Sequence, residues 1–267
     1  MSAVHTGKAI AGAAMTTEIT GSLSPARAPE LAGQIVVVIG GSAGIGLETA
    51  RRARTEGADV VLAARNPERL EWAALELDAQ RTAAFDVNDP GALERFFNDL
   101  PTPIDHVMLT GPGPHYKPPL EMDTEEARDA LGGHMLLELA VARNARGRVR
   151  PGGSLLFIGG TAGRRIRLGG AIVSAVTAGL PALTASLALE LAPVRVNLIA
   201  PGFVDTPLSA SILGDDLDKR REELRSTLPI GRVVGPADVA ALAVHVMINT
   251  AVTGATYDID GGQQLVA

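Results

Sequence analysis

Continuous apolar runs alternate with segments of helical periodicity from Gln34 onward, and this alternation restricts the fold more than any other feature of the chain. Strands that are apolar throughout must be covered on both faces, and a strand–helix–strand order makes neighbouring strands parallel with right-handed crossovers. We therefore predict an α/β fold with a doubly wound, mainly parallel sheet of seven strands and helices on both faces. The predicted strands are QIVVVI, DVVLAA, TAAFDV, IDHVMLT, SLLFIGG, VRVNLIA and TYDID.

The length of 267 residues and the apolar content of 46% suffice for one large domain. We predict a single domain over 29–267, preceded by a flexible tail over 1–28 that is rich in Ala, Thr, Ser and Gly. The apolar run of that tail, AIAGAAM, is far too short to span a membrane.

The net charge and the cysteine content limit which molecules and metal ions the protein is expected to bind. The formal net charge of −6 disfavours binding to nucleic acid or to an anionic membrane surface. The chain has no cysteine, which excludes disulfides and thiolate metal sites, and no metal site is predicted. We expect a cytoplasmic protein whose partner is a small-molecule substrate.

A glycine-rich turn, GGSAGIG at 40–46, follows the first strand and opens directly into a helix. In such a turn Gly40 allows a tight bend, Gly44 lets the backbone approach a diphosphate, and Gly46 permits close helix packing. The helix N-terminus adds amide donors and a positive dipole. The pattern predicts a Rossmann-type dinucleotide site.

The end of the second strand favours NADP(H) over NAD. Arg65 follows Ala64 where an acidic residue would accept the ribose hydroxyls of NAD, and a guanidinium there can pair with a 2′-phosphate. Alternatively, Arg65 simply faces water. After the third strand, Asp86 and Val87 are placed to meet the adenine, although Asp86 could instead be only a helix cap.

From Ala32 to Val266 the chain resembles the short-chain dehydrogenase/reductase family. The three motif glycines, the stretch SLALELAPVRVNLIAPGFVDTPL and the C-terminal DIDGG carry the resemblance. In that family the turn at Pro201, Gly202 and Thr206 contacts the nicotinamide amide. The full set of predicted cofactor contacts is Gly40, Ser42, Ala43, Gly44, Ile45, Gly46, Arg65, Asn66, Asp86, Val87, Thr110, Gly111, Pro201, Gly202, Val204 and Thr206.

The resemblance also implies a catalytic serine, tyrosine and lysine, with an asparagine that supports a proton relay. Alignment on the quoted motifs places these positions at Gly160, Val173, Thr177 and near Gly133. Valine has no ionisable proton, and threonine is not usefully acidic near neutral pH. The family's usual proton donor is therefore predicted to be absent.

Several residues are candidate replacements. His115, Tyr116 or Lys117, in the loop GPGPHYKPP, can reach the nicotinamide side of the cleft, and Tyr116 is preferred because it restores a phenol. The alternative is an ordinary rigid surface loop. Thr161 and Ser174 lie one residue beyond the family's serine and tyrosine positions, but one step reverses a strand face and turns a helix by about 100°, so structural roles compete.

Three further features concern the relay and the substrate. His134 lies next to the relay position and could move protons or merely pack in a helix. Arg164, Arg165 and Arg167, at the expected mouth of the cleft, could hold an anionic substrate or form a solvated loop. The segment 206–227 is predicted to be a mobile lid followed by an exposed helix.

Two functions remain open from the sequence. One is an atypical NADP(H)-dependent oxidoreductase that acts on a small molecule, possible because the nicotinamide carries the chemistry and the protein positions it. The other is a catalytically silent NADP-binding protein, either a sensor or the partner subunit of an active paralogue. The helix SAVTAGLPALTASLALELA is apolar on nearly all sides and must be buried by the sheet or by a second copy of the chain. In the resembling family this helix and the C-terminal GGQQLVA form dimer and tetramer contacts, so we expect a homodimer or homotetramer.

Overall fold

The computed structural model describes residues 28–111, 113–114 and 117–266. All seven predicted strands are present, and they form one sheet in which every pair of neighbours is parallel. The strands are β1 (Ile35–Ile39), β2 (Asp59–Ala64), β3 (Arg81–Ala84), β4 (Ile104–Leu109), β5 (Val149–Ile158), β6 (Arg195–Pro201) and β7 (Thr256–Ile259). Their order, β3-β2-β1-β4-β5-β6-β7, confirms the predicted doubly wound fold.

Eight α-helices connect the strands within the described ranges. They are α1 (Gly44–Thr55), α2 (Pro67–Leu77), α3 (Pro90–Asn98), α4 (Thr124–Ala145), α5 (Ala171–Glu190), α6 (Pro207–Leu213), α7 (Leu217–Thr227) and α8 (Pro236–Ile248). Strands β2 and β3 lie on one side of β1 in the sheet, and β4 to β7 lie on its other side. The order of the strands therefore reverses direction between β1 and β4. A ligand crevice therefore opens at the carboxyl ends of β1 and β4.

Two apolar cores, one on each face of the sheet, follow from the alternation of side chains along the strands. On one face, Val37 packs with residues such as Phe97 of α3 and Leu180 of α5. On the other face, Val38 packs with α1, α2 and α8, where Ala50 and Ala53 let α1 approach the sheet closely. The low aromatic content of 3% is thus compensated by dense packing of small and branched residues.

The third strand is shorter than predicted. The run TAAFDV suggests a strand through Val87, but β3 ends at Ala84. This strand forms the edge of the sheet and is largely exposed along its length, so a single neighbour, β2, supports it. The end of β3 therefore frays earlier than the buried strands.

By length and mean hydropathy, 1.8 over its most apolar window, α5 would also qualify as a membrane span. A core helix of a parallel sheet meets the same criteria, and α5 packs against β6 and α4. Its buried side includes Leu180 and Leu187, whereas Ala175, Ala182 and Leu189 are exposed. One side of α5 thus packs in the core, and its other side exposes apolar side chains.

A carboxyl group is buried in α4 with little compensation. Glu138 is 2% exposed, and its Oε2 has no hydrogen-bond partner among the described residues. Burial raises the pKa of this carboxyl to about 8. The group is therefore protonated in the folded protein at neutral pH, whereas it ionises near its ordinary pKa once the chain unfolds.

This burial predicts a pH-dependent stability. The folded state keeps Glu138 protonated up to about pH 8, whereas the unfolded chain releases this proton near the ordinary pKa of glutamate. The free energy of unfolding is therefore highest in acid, and it falls as the pH rises toward 8. In urea titrations from pH 5 to 9, the free energy of unfolding of Glu138→Gln should fall by a few kcal/mol less than that of the unmodified protein, since one pKa unit corresponds to about 1.4 kcal/mol. Glu125→Gln, exposed on the same helix, is the control. A parallel decline in Glu138→Gln and the unmodified protein would contradict the assignment.

Candidate cofactor and active site

The glycine turn forms a backbone cradle at the carboxyl end of β1. Gly40 and Gly44 have φ values of +91° and +53°, which side chains rarely adopt. A Cβ added to Gly46 would collide with the Gly40 carbonyl oxygen and lie 2.8 Å from its carbonyl carbon. Ala43 precedes α1 in extended conformation, and among the described residues no side chain caps the helix. The first amides of α1 thus stay available to an anion, as a bound diphosphate requires.

The end of β4 supports this cradle. Thr110 donates its hydroxyl to the Ile39 carbonyl oxygen at 3.2 Å, and its backbone amide donates to the same oxygen at 3.0 Å. A Cβ on Gly40 would collide with Thr110 Oγ1, so the two segments interlock. The structure therefore brings the predicted contacts Gly40 and Thr110 together at the switch point of the sheet.

The turn after β6 closes the other side of the crevice. Thr206 caps α6: its hydroxyl accepts from the Ser209 amide at 3.2 Å, while Ser209 Oγ accepts from the Thr206 amide at 2.8 Å. A Cβ on Gly44 would lie 3.5 Å from Thr206 Cβ and Cγ2. The turn at 201–206 therefore lies against the glycine cradle. Val204 pairs with Val234 in an isolated bridge, which holds the turn in place.

The adenosine end is more open than the phosphate end. Arg65 is exposed at the end of β2, as a group that meets a 2′-phosphate would be. The side-chain oxygen of Asn66 accepts from the Arg69 amide at 2.8 Å and caps α2. Asp86 is exposed and accepts from the Asn88 amide at 3.0 Å. The cap of α3 is Asp89, so Asp86 is not the helix cap considered as its alternative role.

The positions assigned by resemblance to the catalytic residues are neighbours. A Cβ on Gly160 would lie 3.5 Å from Thr177 Cγ2, so the threonine methyl group faces this position. Thr177 Oγ1 donates to the Val173 carbonyl oxygen at 2.7 Å within α5. Gly160, Val173 and Thr177 thus provide methyl groups and backbone, with no ionisable side chain among them.

The two shifted hydroxyls have structural surroundings. Ser174 is buried, and its hydroxyl donates to the Ala162 carbonyl oxygen at 3.0 Å. Thr161 is 8% exposed, and its amide donates to the Pro201 carbonyl oxygen at 3.2 Å. These bonds tie the loop after β5 to α5 and to β6. This geometry favours the structural role for both residues.

The loop after β4 is described only in part. His115 and Tyr116, the leading candidate proton donors, lie outside the described residues. Lys117 pairs with Glu126 of α4 at 2.5 Å. His134 lies at the carboxyl end of β4, because a Cβ on Gly111 would be 3.1 Å from its Cδ2 and 3.3 Å from its Nε2. His134 is thus the ionisable side chain that the described residues place beside the predicted contact Gly111.

Helix α7 is fastened to the turn at 201–206. Arg221 forms a bidentate pair with Asp205, with N–O distances of 2.9 and 2.8 Å. The guanidinium of Arg220 lies 6.0 Å from the centroid of the Phe203 ring, within cation–π range. The sequence predicted only an exposed helix here. A charge pattern such as DKRREE does not reveal which of its arginines turn toward the site.

Comparison with known proteins agrees with this architecture. A family model described as Enoyl-(Acyl carrier protein) reductase matches residues 40–264. Short-chain dehydrogenase/reductase ATR9 of Stachybotrys chlorohalonatus is 28% identical over 259 residues, which cover 88% of this chain and 98% of that protein.

Two solved structures are similarly close. The MalC Reductase/Diels-Alderase from Malbranchea aurantiaca superimposes with a TM-score of 0.82 at 26% identity, covering 89% of this chain and 98% of that one. A small-chain dehydrogenase in complex with NADPH gives a TM-score of 0.74 at 26% identity, covering 87% and 99%. The chain belongs to the short-chain dehydrogenase/reductase family.

The cradle geometry predicts the effect of one methyl group. Gly46→Ala should weaken NADPH binding by about 10- to 100-fold, because the collision with the Gly40 carbonyl must displace the turn at a cost of roughly 1–3 kcal/mol. Gly235→Ala, at the start of α8, is the matched control, since its Cβ would lie 3.9 Å from Asp238 Oδ2, an ordinary contact. Fluorescence titration measures the affinity, and circular dichroism verifies folding. Equal affinities for the two variants would refute the cradle assignment.

Proposed function

We propose that this protein is an NADP(H)-dependent oxidoreductase that acts on a small molecule without the tyrosine–lysine proton donor of its family. One observation carries the proposal: the glycine cradle is intact and interlocked with Thr110 and Thr206, whereas Gly160, Val173 and Thr177 offer no acid or base. Selection of NADP(H) over NAD rests on Arg65, and the NADPH present in a similar solved structure supports it.

The chain's own residues would divide the work as follows. The α1 amides and Gly44 hold the diphosphate, Arg65 pairs with the 2′-phosphate, and the turn at 201–206 orients the nicotinamide. When bound, NADPH supplies a hydride. Thr177 keeps its hydroxyl on the Val173 carbonyl, so it presents a methyl group toward Gly160. Tyr116, His115 or His134 then delivers the proton, or water does.

A second candidate is a reaction that needs no proton transfer at all. A Diels–Alder cyclisation moves its electrons in one concerted step, and a site lined by a glycine, a valine and a threonine methyl can bind and fold an apolar substrate without acid or base. The similar MalC is described as a Reductase/Diels-Alderase, so both activities are attributed to a protein with this fold. We place cyclisation second because the cradle and Arg65 point first to nucleotide binding.

A third possibility, the silent NADP-binding protein, makes the opposite prediction about turnover. The same residues would bind the nucleotide, and the protein would act as a sensor or as the partner subunit of an active paralogue. The apolar surroundings of Gly160 and Thr177 are compatible with this role as well. Binding alone therefore does not distinguish it from an enzyme, and turnover does.

The function is tested by binding followed by turnover. NADPH should bind at least about tenfold more tightly than NADH, because the 2′-phosphate gains a charge-assisted bond to Arg65. NADPH oxidation is then followed across carbonyl, iminium and enoyl substrates. Tyr116→Phe and His134→Gln should lower turnover of carbonyls by about 100-fold or more if either residue donates the proton. Iminium reduction should be unaffected, because it consumes no proton.

The outcomes of this experiment separate the three functions. Preference for NADH would overturn the role of Arg65. Tight NADPH binding that is unchanged in Tyr116→Phe, together with no turnover of any substrate, would favour the silent protein. Cyclisation of a tethered diene and dienophile by the NADP⁺-loaded protein would favour the second candidate.

We further propose that the chain forms a homodimer through α4 and α5, from which a tetramer can be built. Leu131, Leu136 and Leu139 of α4 are exposed, and small residues of α5 continue the apolar face. The same stripe on a second copy would complement it across a two-fold axis. A partner for this face is needed because monomers rarely expose contiguous apolar patches of this kind.

A charge placed on this face should dissociate the oligomer. Leu136→Glu should shift the mass measured by light scattering toward the monomer, because an unpaired carboxylate would be desolvated in the interface. Leu75→Glu on α2 is the control, since Leu75 is 74% exposed and Leu136 is 65% exposed. A monomeric unmodified protein, or loss of the oligomer in both variants, would contradict the assignment.

A further inference from the structure

Arginines from two separate segments act on one carboxylate, Glu223, beside the turn at 201–206. Arg220 pairs with Glu223 of the same helix at 2.7 Å. Arg165 and Arg167, in the loop between β5 and α5, also act on this carboxylate electrostatically. Together they hold the pKa of Glu223 below its ordinary value, with the bond from Arg220 as the largest cause. We refer to Arg165, Arg167 and Arg220 as the arginine cluster.

The third arginine of the loop does not belong to the cluster. Arg164 pairs with Asp258 and donates to Gln264 Oε1 at 2.7 Å, which anchors the loop to the C-terminal segment. The prediction that all three loop arginines line the mouth is therefore corrected for Arg164. Its anchoring positions the next residues, and Arg165 donates one hydrogen bond, at 3.0 Å, to the Gln263 carbonyl oxygen.

The position of the cluster relative to the cofactor groove is determined by α7. The side chain of Arg220 is only 16% exposed and lies over Phe203, which directly follows the predicted cofactor contact Gly202. The neighbouring Arg221 binds Asp205 in the same turn. The cluster therefore lies beside the turn that faces the nicotinamide end, rather than on a remote surface.

Charge and donor geometry define what this cluster can bind. A guanidinium presents several N–H donors in a planar fork that matches carboxylate and phosphate oxygens. Arg165 donates to a carbonyl oxygen and Arg220 to the single carboxylate of Glu223, so these two guanidiniums carry more positive charge than Glu223 neutralises. Glu223 is 56% exposed at its side chain, so it can turn into solvent when another anion arrives. Exposed Ile166 and Leu168 flank the cluster and can cover an apolar part of the same ligand.

We propose that the arginine cluster binds an anionic group of the substrate, a phosphate ester or a carboxylate, and that Glu223 occupies this subsite until the substrate displaces it. The inference rests on the proposed function only in taking the ligand to be the substrate of the nicotinamide site. It assigns the chemical class of that substrate: a reducible group at one end and an anion at the other.

Two matched pairs of probes test the subsite without turnover. The first pair is 4′-phosphopantetheine and pantetheine, which differ by a phosphate. The second is levulinate and methyl levulinate, which differ by a carboxylate charge. With NADPH-saturated protein, the anionic member of one pair should bind about 10-fold or more tightly than its neutral partner in ligand-detected NMR titrations. The pair that shows the larger ratio identifies the anion.

The helix provides matched control variants. Arg225 pairs with Glu222 at 3.2 Å with the same spacing as Arg220 and Glu223. Glu223→Gln should raise the affinity for the anionic probe several-fold by removing its competitor, whereas Glu222→Gln should leave it unchanged. Arg220→Met should reduce the ratio within the pair about 10-fold, whereas Arg225→Met should preserve it.

Defined results would overturn the inference. Equal binding within both pairs, or an anion affinity that is unchanged or lowered in Glu223→Gln, would remove the subsite even if Arg220→Met fails to fold. NADPH affinity is measured on the same samples. If NADPH binds and the anion preference is absent, the subsite alone fails. If NADPH does not bind and the preference is still seen with the cofactor-free protein, the proposed function fails and the subsite stands.

Discussion

The contact between Gly46 and the Gly40 carbonyl is the constraint on which the site depends. This approach leaves no room for a Cβ, so α1 begins directly against the end of β1 and directs its uncapped amides into the crevice. Thr110 holds the cradle from β4, and Thr206 approaches it from β6. Three segments distant in sequence meet here because parallel strands end at the same edge of the sheet.

Much of this arrangement could be predicted from the sequence, for physical reasons. Buried parallel strands require continuous apolar runs, and a tight phosphate turn requires glycine at particular places, so both leave a local signature. Asn66, directly before Pro67, has the residue type and position of a helix cap, and its hydrogen bond from the Arg69 amide shows this role. The arginines of α7 have sequence neighbours of both charges, and only the folded turn shows that Arg221 selects Asp205. The catalytic predictions for His115 and Tyr116 stay predictions.

The residues at the positions assigned by resemblance to the family's catalytic groups concern the chemistry of the site rather than its fold. Thr177 satisfies its hydroxyl on the preceding turn of α5, and Gly160 removes the side chain opposite it. Gly160 and Thr177 are both half-buried at the edge of the crevice, so the residue types at these positions can vary without repacking α5 on the sheet. The same scaffold can therefore carry the proposed chemistry, with a different proton requirement or with none.

In the proposed enzyme, positioning contributes to the rate whichever group delivers the proton. The reacting atoms must be held in contact, which a substrate achieves through binding energy gained away from the reacting centre. An anion bound at the arginine cluster would supply such energy, and the bidentate pair of Arg221 with Asp205 would transmit the position of α7 to the turn that faces the nicotinamide. The half-buried, cation–π-stacked Arg220 is suited to this task because its guanidinium is already oriented before the substrate arrives, so little conformational entropy remains to be lost.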